Sequence, residues 1–101
     1  MDLGGLMQQA QKMQREMRQV KDELKKRTVL GESGGGMVKA YVNGSQQLLK
    51  VEIDPQVVDA DDVEMLEDLV LVAVREGLEK ARELSDEEMS RVTGGQFPGL
   101  F

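Results

Sequence analysis

Seven cations crowd the opening segment of this 101-residue chain: Lys12, Arg15, Arg18, Lys21, Lys25, Lys26 and Arg27. Four acids stand against them, Asp2, Glu16, Asp22 and Glu23, so residues 1–27 carry +3 while residues 28–101 carry −9. On a helix, Lys12, Arg15 and Arg18 recur every three residues on the face opposite the apolar positions, and Lys25 and Lys26 extend the stripe. Phosphates repeat along duplex DNA, and a basic stripe two to three turns long can neutralise several of them without reading bases. Tyr41, Phe97 and Phe101 are the only aromatics, too few for the stacking platform that single strands need. An acidic body repels DNA, yet at physiological salt that repulsion decays over ~8 Å, and a protruding arm escapes it. The plainer reading of the same charges is a solvated helix face.

Other chemistry finds less support. Gly31 and Gly36 have the spacing of a phosphate-cradling loop, but Met37 and Val38 stand where a lysine and a hydroxyl residue are required. A hairpin connector fits those glycines better. The acids Asp59, Asp61, Asp62, Glu64, Glu67 and Asp68 lack the calcium-loop pattern and its glycine; helix capping and solubility explain them. With no cysteine and no histidine, disulfides, thiolate zinc sites, cysteine nucleophiles and the commonest general base are all absent. Neither a cofactor nor a small-molecule substrate is expected, and an enzyme is the weakest of the readings.

These residues need elements to position them. Leu3, Leu6, Ala10, Met13, Met17, Val20 and Leu24 are spaced alternately by three and four, an a/d heptad pattern ending where Arg27 takes the next d position. A helix from Leu3 to Lys26 would be roughly 36 Å long at 1.5 Å per residue. A compact domain of this size has a radius of gyration near ~13 Å, so the helix overhangs its body and its seam needs another surface. A second copy is the simplest supply, with Leu6, Ala10, Met13, Met17, Val20 and Leu24 as the dimer seam; docking along the chain's own core is the alternative.

The cluster Gly31-Glu32-Ser33-Gly34-Gly35-Gly36 then reads as a breaker. Val38, Ala40 and Val42 alternate with polar partners as a strand, Asn43-Gly44 signals a turn, and Leu49, Val51 and Ile53 give the returning strand, closed by Asp54-Pro55. Thr28 to Leu30 could add a short third strand. From Asp61 the period is helical again, with Asp61 and Glu64 as a capping pair. Val63, Leu66, Val70, Ala73, Val74 and Leu78 form its sheet-facing stripe. Leu69, Leu71 and Val72 make its middle apolar all round, which again suggests an oligomer. Ser85 with Glu88 could cap a separate last helix, or the same helix runs on. One domain is expected over residues 1–101: an arm over 1–27, a sheet over 28–54, a helical region over 61–92 and a flexible tail over 94–101. The opening residues lack a signal peptide's basic flank and apolar run. No stretch approaches the ~20 apolar residues that span a bilayer, so a soluble cytoplasmic protein with no membrane partner is expected.

The ordered string of motifs also resembles the YbaB/EbfC family of bacterial nucleoid-associated proteins, over nearly the whole length. The resemblance is carried by Met7-Gln8-Gln9-Ala10-Gln11-Lys12-Met13 and by Gly31 through Lys39. Asn43-Gly44, Val51 through Pro55, Met65 through Val70, Thr93-Gly94-Gly95 and Pro98-Gly99 continue it. It implies an α+β homodimer, tweezer-like, with a long N-terminal helix, a small antiparallel β-sheet, a long C-terminal helix and protruding helical arms. It also implies a protein of the cytoplasm and nucleoid that binds DNA, organises it and affects gene expression. Arms from both chain ends are then the expected contacts, which adds Lys80, Arg82 and Arg91 as weaker candidates. The chain departs from the pattern at Ser85-Asp86-Glu87-Glu88, which is more acidic, and at Arg75, where Asn is common. The residue-level reading is a homodimer binding duplex DNA through phosphates, chiefly by Lys12, Arg15, Arg18, Lys25 and Lys26, with Lys21 and Arg27 as further contacts of the same segment. Its rival is a non-enzymatic adaptor whose arms clasp a protein partner, a use to which Met7, Met13 and Met17 would lend an adaptable surface.

Overall fold

A computed structural model describes residues 2–94. Helix α1 (Leu3–Lys25) begins where the Asp2 side chain accepts the Gly5 amide proton at 3.1 Å, an N-cap that satisfies an otherwise orphaned donor. Strands β1 (Thr28–Ser33), β2 (Val38–Asn43) and β3 (Leu48–Ile53) form one antiparallel sheet in that order. A 3-10 turn at Pro55–Val57 leads to helix α2 (Val63–Thr93). Its N-cap is Asp62, accepting from the Met65 amide at 3.2 Å, not the expected Asp61. Asp59 instead takes the Asp61 amide at 2.9 Å in a turn just outside the helix. No second cap forms at Ser85: α2 runs unbroken to a left-handed Gly94. Of the expected flexible tail, residues 95–101 lie outside the described residues.

The core is a crossing of α2 over β1 and β2. Val38, Ala40 and Ala73 are fully buried, with Val51, Val57, Leu69, Val70 and Val74 packed round them. Small residues let the two backbones approach. A Cβ on Gly31 would overlap the Ala73 carbonyl and the Gly77 amide, and would lie 2.8 Å from the Gly77 Cα. Gly31 is therefore part of β1, which is longer than the expected Thr28–Leu30, and only Gly34–Gly36 form the connector, each with positive φ.

Two expectations about apolar faces are corrected. A register shift at Tyr41/Val42 sets Lys50 opposite Tyr41 but Leu48 opposite Val42. Leu49 is thereby the extra residue of a bulge, not a member of the inner face with Val51 and Ile53. On α2, Val63 is exposed whereas Leu69 packs inward, because the helix meets the sheet through Ala73 and Gly77 rather than along its whole stripe. The outer flank of α2 stays open, Leu71 and Val72 being 46% and 51% exposed.

Beyond the sheet, α2 continues beside α1, and the molecule measures 70 × 21 × 16 Å with a radius of gyration of 18.9 Å. That is well above the ~13 Å of a compact chain of this length. Met89 and Thr93, one turn apart near the end of α2, are buried, and Met89 lines the same groove as Leu24 of α1. The seam of α1 is thus divided. Leu24 is buried within the chain, Met13, Met17 and Val20 are half-buried, and Leu6 and Ala10 are exposed.

Candidate nucleic-acid interface

The spacing that puts Leu24 inward turns the cations of α1 outward. Lys12, Arg15, Arg18, Lys21, Lys25 and Lys26 are all exposed, and none makes an ion pair among the described residues. Arg27 differs: its guanidinium donates to Glu88 at 3.3 Å, tying the end of α1 to α2. Of the seven expected contacts, six are therefore free for a ligand and one is engaged in the fold.

The four cations of α2 are of two kinds: Arg75 and Arg82 are exposed and make no ion pair among the described residues, whereas Lys80 and Arg91 are paired. Lys80 donates to the Leu30 carbonyl and to Glu76, both at 2.9 Å. The hydrogen bond between them raises the Lys80 ammonium above its ordinary pKa and lowers the Glu76 carboxyl below the usual range. Arg91 is held by Glu88 at 3.4 Å and Glu87 at 3.6 Å. Arg82 is exposed and makes no ion pair among the described residues, and it borders a shallow depression with Gln46, Leu78 and Glu79.

That depression leads to the tip of the β2–β3 hairpin, which shares Gln46 with it. The β2–β3 hairpin is anchored to the end of α1: the Gly44 amide donates to the carbonyls of Leu24 at 2.8 Å and Arg27 at 3.0 Å. A Cβ on Gly44 would lie 2.6 Å from the Leu24 oxygen, so glycine is needed here for close approach, although Asn43-Gly44 alone suggests a two-residue turn. The loop is longer. Buried Asn43 accepts from the Ser45 and Gln47 amides, each at 3.0 Å, and donates to the Gln47 side chain at 2.8 Å. Gln46 takes the left-handed conformation at φ 64°, the one non-glycine residue among those described to do so. Between this hairpin and the two helices runs a groove of about 630 Å³, lined by Arg18, Lys21, Asp22, Lys25, Ser45, Gln46, Ser85 and the buried Leu24 and Met89.

A second concavity, of about 500 Å³, lies between the β1–β2 connector and the first turns of α2. It is lined by Met65, Leu69 and Val72 together with Asp62, Glu64 and Asp68, a sign of charge that disfavours a phosphate ligand. Among the described residues no helix is long and apolar enough to cross a membrane.

The model of the YbaB/EbfC DNA-binding family matches residues 1–96. A nucleoid-associated protein of Caldanaerobacter subterraneus subsp. tengcongensis is 50% identical over 101 residues, covering 99% of this chain and 91% of that protein. Another, from Acetivibrio thermocellus, is 49% identical over 102 residues, covering 99% and 90%. Among solved structures, an uncharacterized protein of Helicobacter pylori superposes with a TM-score of 0.82 at 26% identity, covering 93% of this chain and 99% of that one.

Proposed function

The chain belongs to the YbaB/EbfC DNA-binding family, and from that premise we propose that it is a nucleoid-associated protein whose α1 arm holds duplex DNA by its phosphates. It organises the nucleoid in this reading, with consequences for gene expression, and it performs no catalysis. The observation that carries the proposal is the number of unpaired cations on one arm: six bases of α1 are exposed and unpaired among the described residues, against Arg75 and Arg82 on α2, where Lys80 and Arg91 are paired with neighbouring carboxylates. Phosphate contact needs cations that are not already satisfied. Lys12, Arg15, Arg18, Lys21, Lys25 and Lys26 are the proposed contacts, joined by Arg82 from α2, while Arg27 is held by Glu88 and serves the fold.

The working unit is a homodimer in this proposal. The open apolar flank of α2 with Leu71 and Val72, and the exposed Leu48, Leu49 and Ile53 of edge strand β3, support a partner surface of the self-complementary kind that two-fold dimers use. The exposed start of the α1 seam, Leu3, Leu6 and Ala10, offers a smaller one. Molar mass by light scattering decides between a dimer and a monomer.

The function is tested by binding of a labelled random-sequence duplex across a salt series. Neutralising Z phosphates gives a fall of log K with log salt of slope near ~0.9Z. The triple variant Lys12→Glu, Arg15→Glu, Arg18→Glu is expected to keep the fold and oligomeric state while losing most of the slope and the affinity. Absence of binding by the intact wild-type protein at low salt overturns the DNA reading. Binding insensitive to salt would turn the argument toward a protein partner for the arms.

A further inference from the structure

The hairpin tip stands between two sets of cations. On one side are Arg18, Lys21 and Lys25 of α1, sharing a groove with Ser45 and Gln46; on the other is Arg82 of α2, sharing a depression with Gln46. Asp22 and Glu79 border the same hollows, so cations outnumber anions there by four to two. The tip itself is uncharged, exposed and polar.

Its backbone carries a second clue. Gln46 holds a left-handed φ of 64°, a conformation that glycine adopts freely and asparagine tolerates, and that other residues take at an energetic cost. The fold over-determines this geometry, through the Asn43 hydrogen bonds and the Gly44 anchor on α1. A residue that only closed the turn would be better as glycine. A long amide side chain at a strained, exposed position that borders both basic hollows points to a use for the side chain.

Resting on the DNA reading above, we infer that the Ser45–Gln46 tip enters the minor groove of duplex DNA and that the Gln46 amide contacts base edges there, while Arg18, Lys21, Lys25 and Arg82 hold the phosphates of the two flanking strands. The minor groove is about 6 Å wide and excludes a helix but admits a narrow tip, and its floor presents the adenine N3 and thymine O2 acceptors to an amide donor. The guanine N2 amino group projects into the same floor and takes up the space the tip must enter, and A·T tracts present the stronger negative potential to the flanking cations, so the contact favours A·T-rich sequence.

The full-length protein is titrated with an A·T-rich and a G·C-rich duplex of equal length, each across a salt series. Wild type is expected to prefer the A·T-rich duplex by roughly five-fold or more, the scale of one good base contact. Gln46→Gly relieves the left-handed strain, so its melting temperature should equal or exceed that of wild type, and a loss of binding then cannot be a loss of fold. This variant is expected to weaken binding to the A·T-rich duplex roughly five-fold and to abolish the preference, with the salt slope unchanged because no charge is removed. Arg82→Gln should lower the slope by about one without altering the preference. If wild type binds both duplexes equally, or if Gln46→Gly binds as wild type does, the hairpin inference is overturned and the phosphate-binding arm stands. If wild type binds neither, the DNA reading itself has failed, and the hairpin inference with it.

Discussion

The body and the arm of this molecule are built on opposite rules. Where α2 crosses the sheet, the contact is made by Gly31, Ala40, Ala73 and Gly77, and the backbones nearly touch. Where α1 runs beside the end of α2, the contact is a few larger side chains, Leu24 and Met89 foremost, with an Arg27–Glu88 pair at the rim. In the body, backbone meets backbone at Gly31, Ala73 and Gly77, which leaves the crossing little room to adjust. The arm keeps most of its surface outside, and that is the surface on which the unpaired cations stand. A close-packed crossing fixes one geometry, whereas a lightly packed helix pair leaves its polar face available for a ligand.

The contrast predicts unequal responses to equally small changes. The largest loss is expected for Gly31→Ala. Its new Cβ must displace the backbone of Ala73 and Gly77, and backbone cannot rotate away as a side chain can. A loss of about 3 kcal/mol or more, from overpacking, should appear as a large drop in the urea midpoint or as failure to fold. Gly77→Ala is the informative control. Its Cβ meets mainly the Val42 methyl at 2.8 Å, and alanine recovers about 1 kcal/mol of helix propensity, so it should be much milder. Equal effects from the two substitutions would break the picture of a one-sided backbone contact. Next in size is Met89→Ala in the arm, expected to cost about 2 kcal/mol, the low end for a buried methionine because the helix pair can close on the space. Amide exchange should show the loss concentrated in α1, with the strands protected as before.

How far the sequence reveals this division depends on what each feature writes into it. The heptad spacing of Leu3 to Leu24 and the exposed cations opposite it are legible, because side-chain periodicity follows directly from helix geometry. What covers the seam is not. The same apolar stripe serves a second chain or the chain's own α2, and Leu24 is claimed by Gly44 and Met89 through contacts far along the chain. Gly31 is hidden by its neighbours, since a glycine beside Gly34-Gly35-Gly36 reads as loop. The signal for the crossing is Gly77, a glycine in mid-helix where alanine would be better unless another backbone lies close. The bulge at Leu49 and the left-handed Gln46 left no signal, as both are set by how the hairpin must lie against α1 rather than by local preference.

The smallest expected effect sharpens the contrast between the cations of the two helices. Lys80 lies on α2 with its ammonium committed to Glu76 and the Leu30 carbonyl, so Lys80→Gln should leave the salt slope of DNA binding unchanged, unlike any loss among Arg15, Arg18 or Lys21. Its effect on stability should be slight, because both side chains of the pair are 40–50% exposed and such pairs are screened. The sign with pH is nonetheless fixed. Glu76 has a lowered pKa through its hydrogen bond to Lys80, so its contribution is present above the ordinary carboxylate pKa and disappears as pH falls through the lowered one. Lys80 has a raised pKa, so its contribution is complete below the ordinary lysine value and is lost as pH climbs through the raised one. Wild type should therefore exceed Lys80→Gln in melting temperature across the neutral range, and the two should converge at both extremes. A gap that persisted in acid would mean that the Leu30 carbonyl, not Glu76, is what holds this lysine in the body and keeps it from DNA.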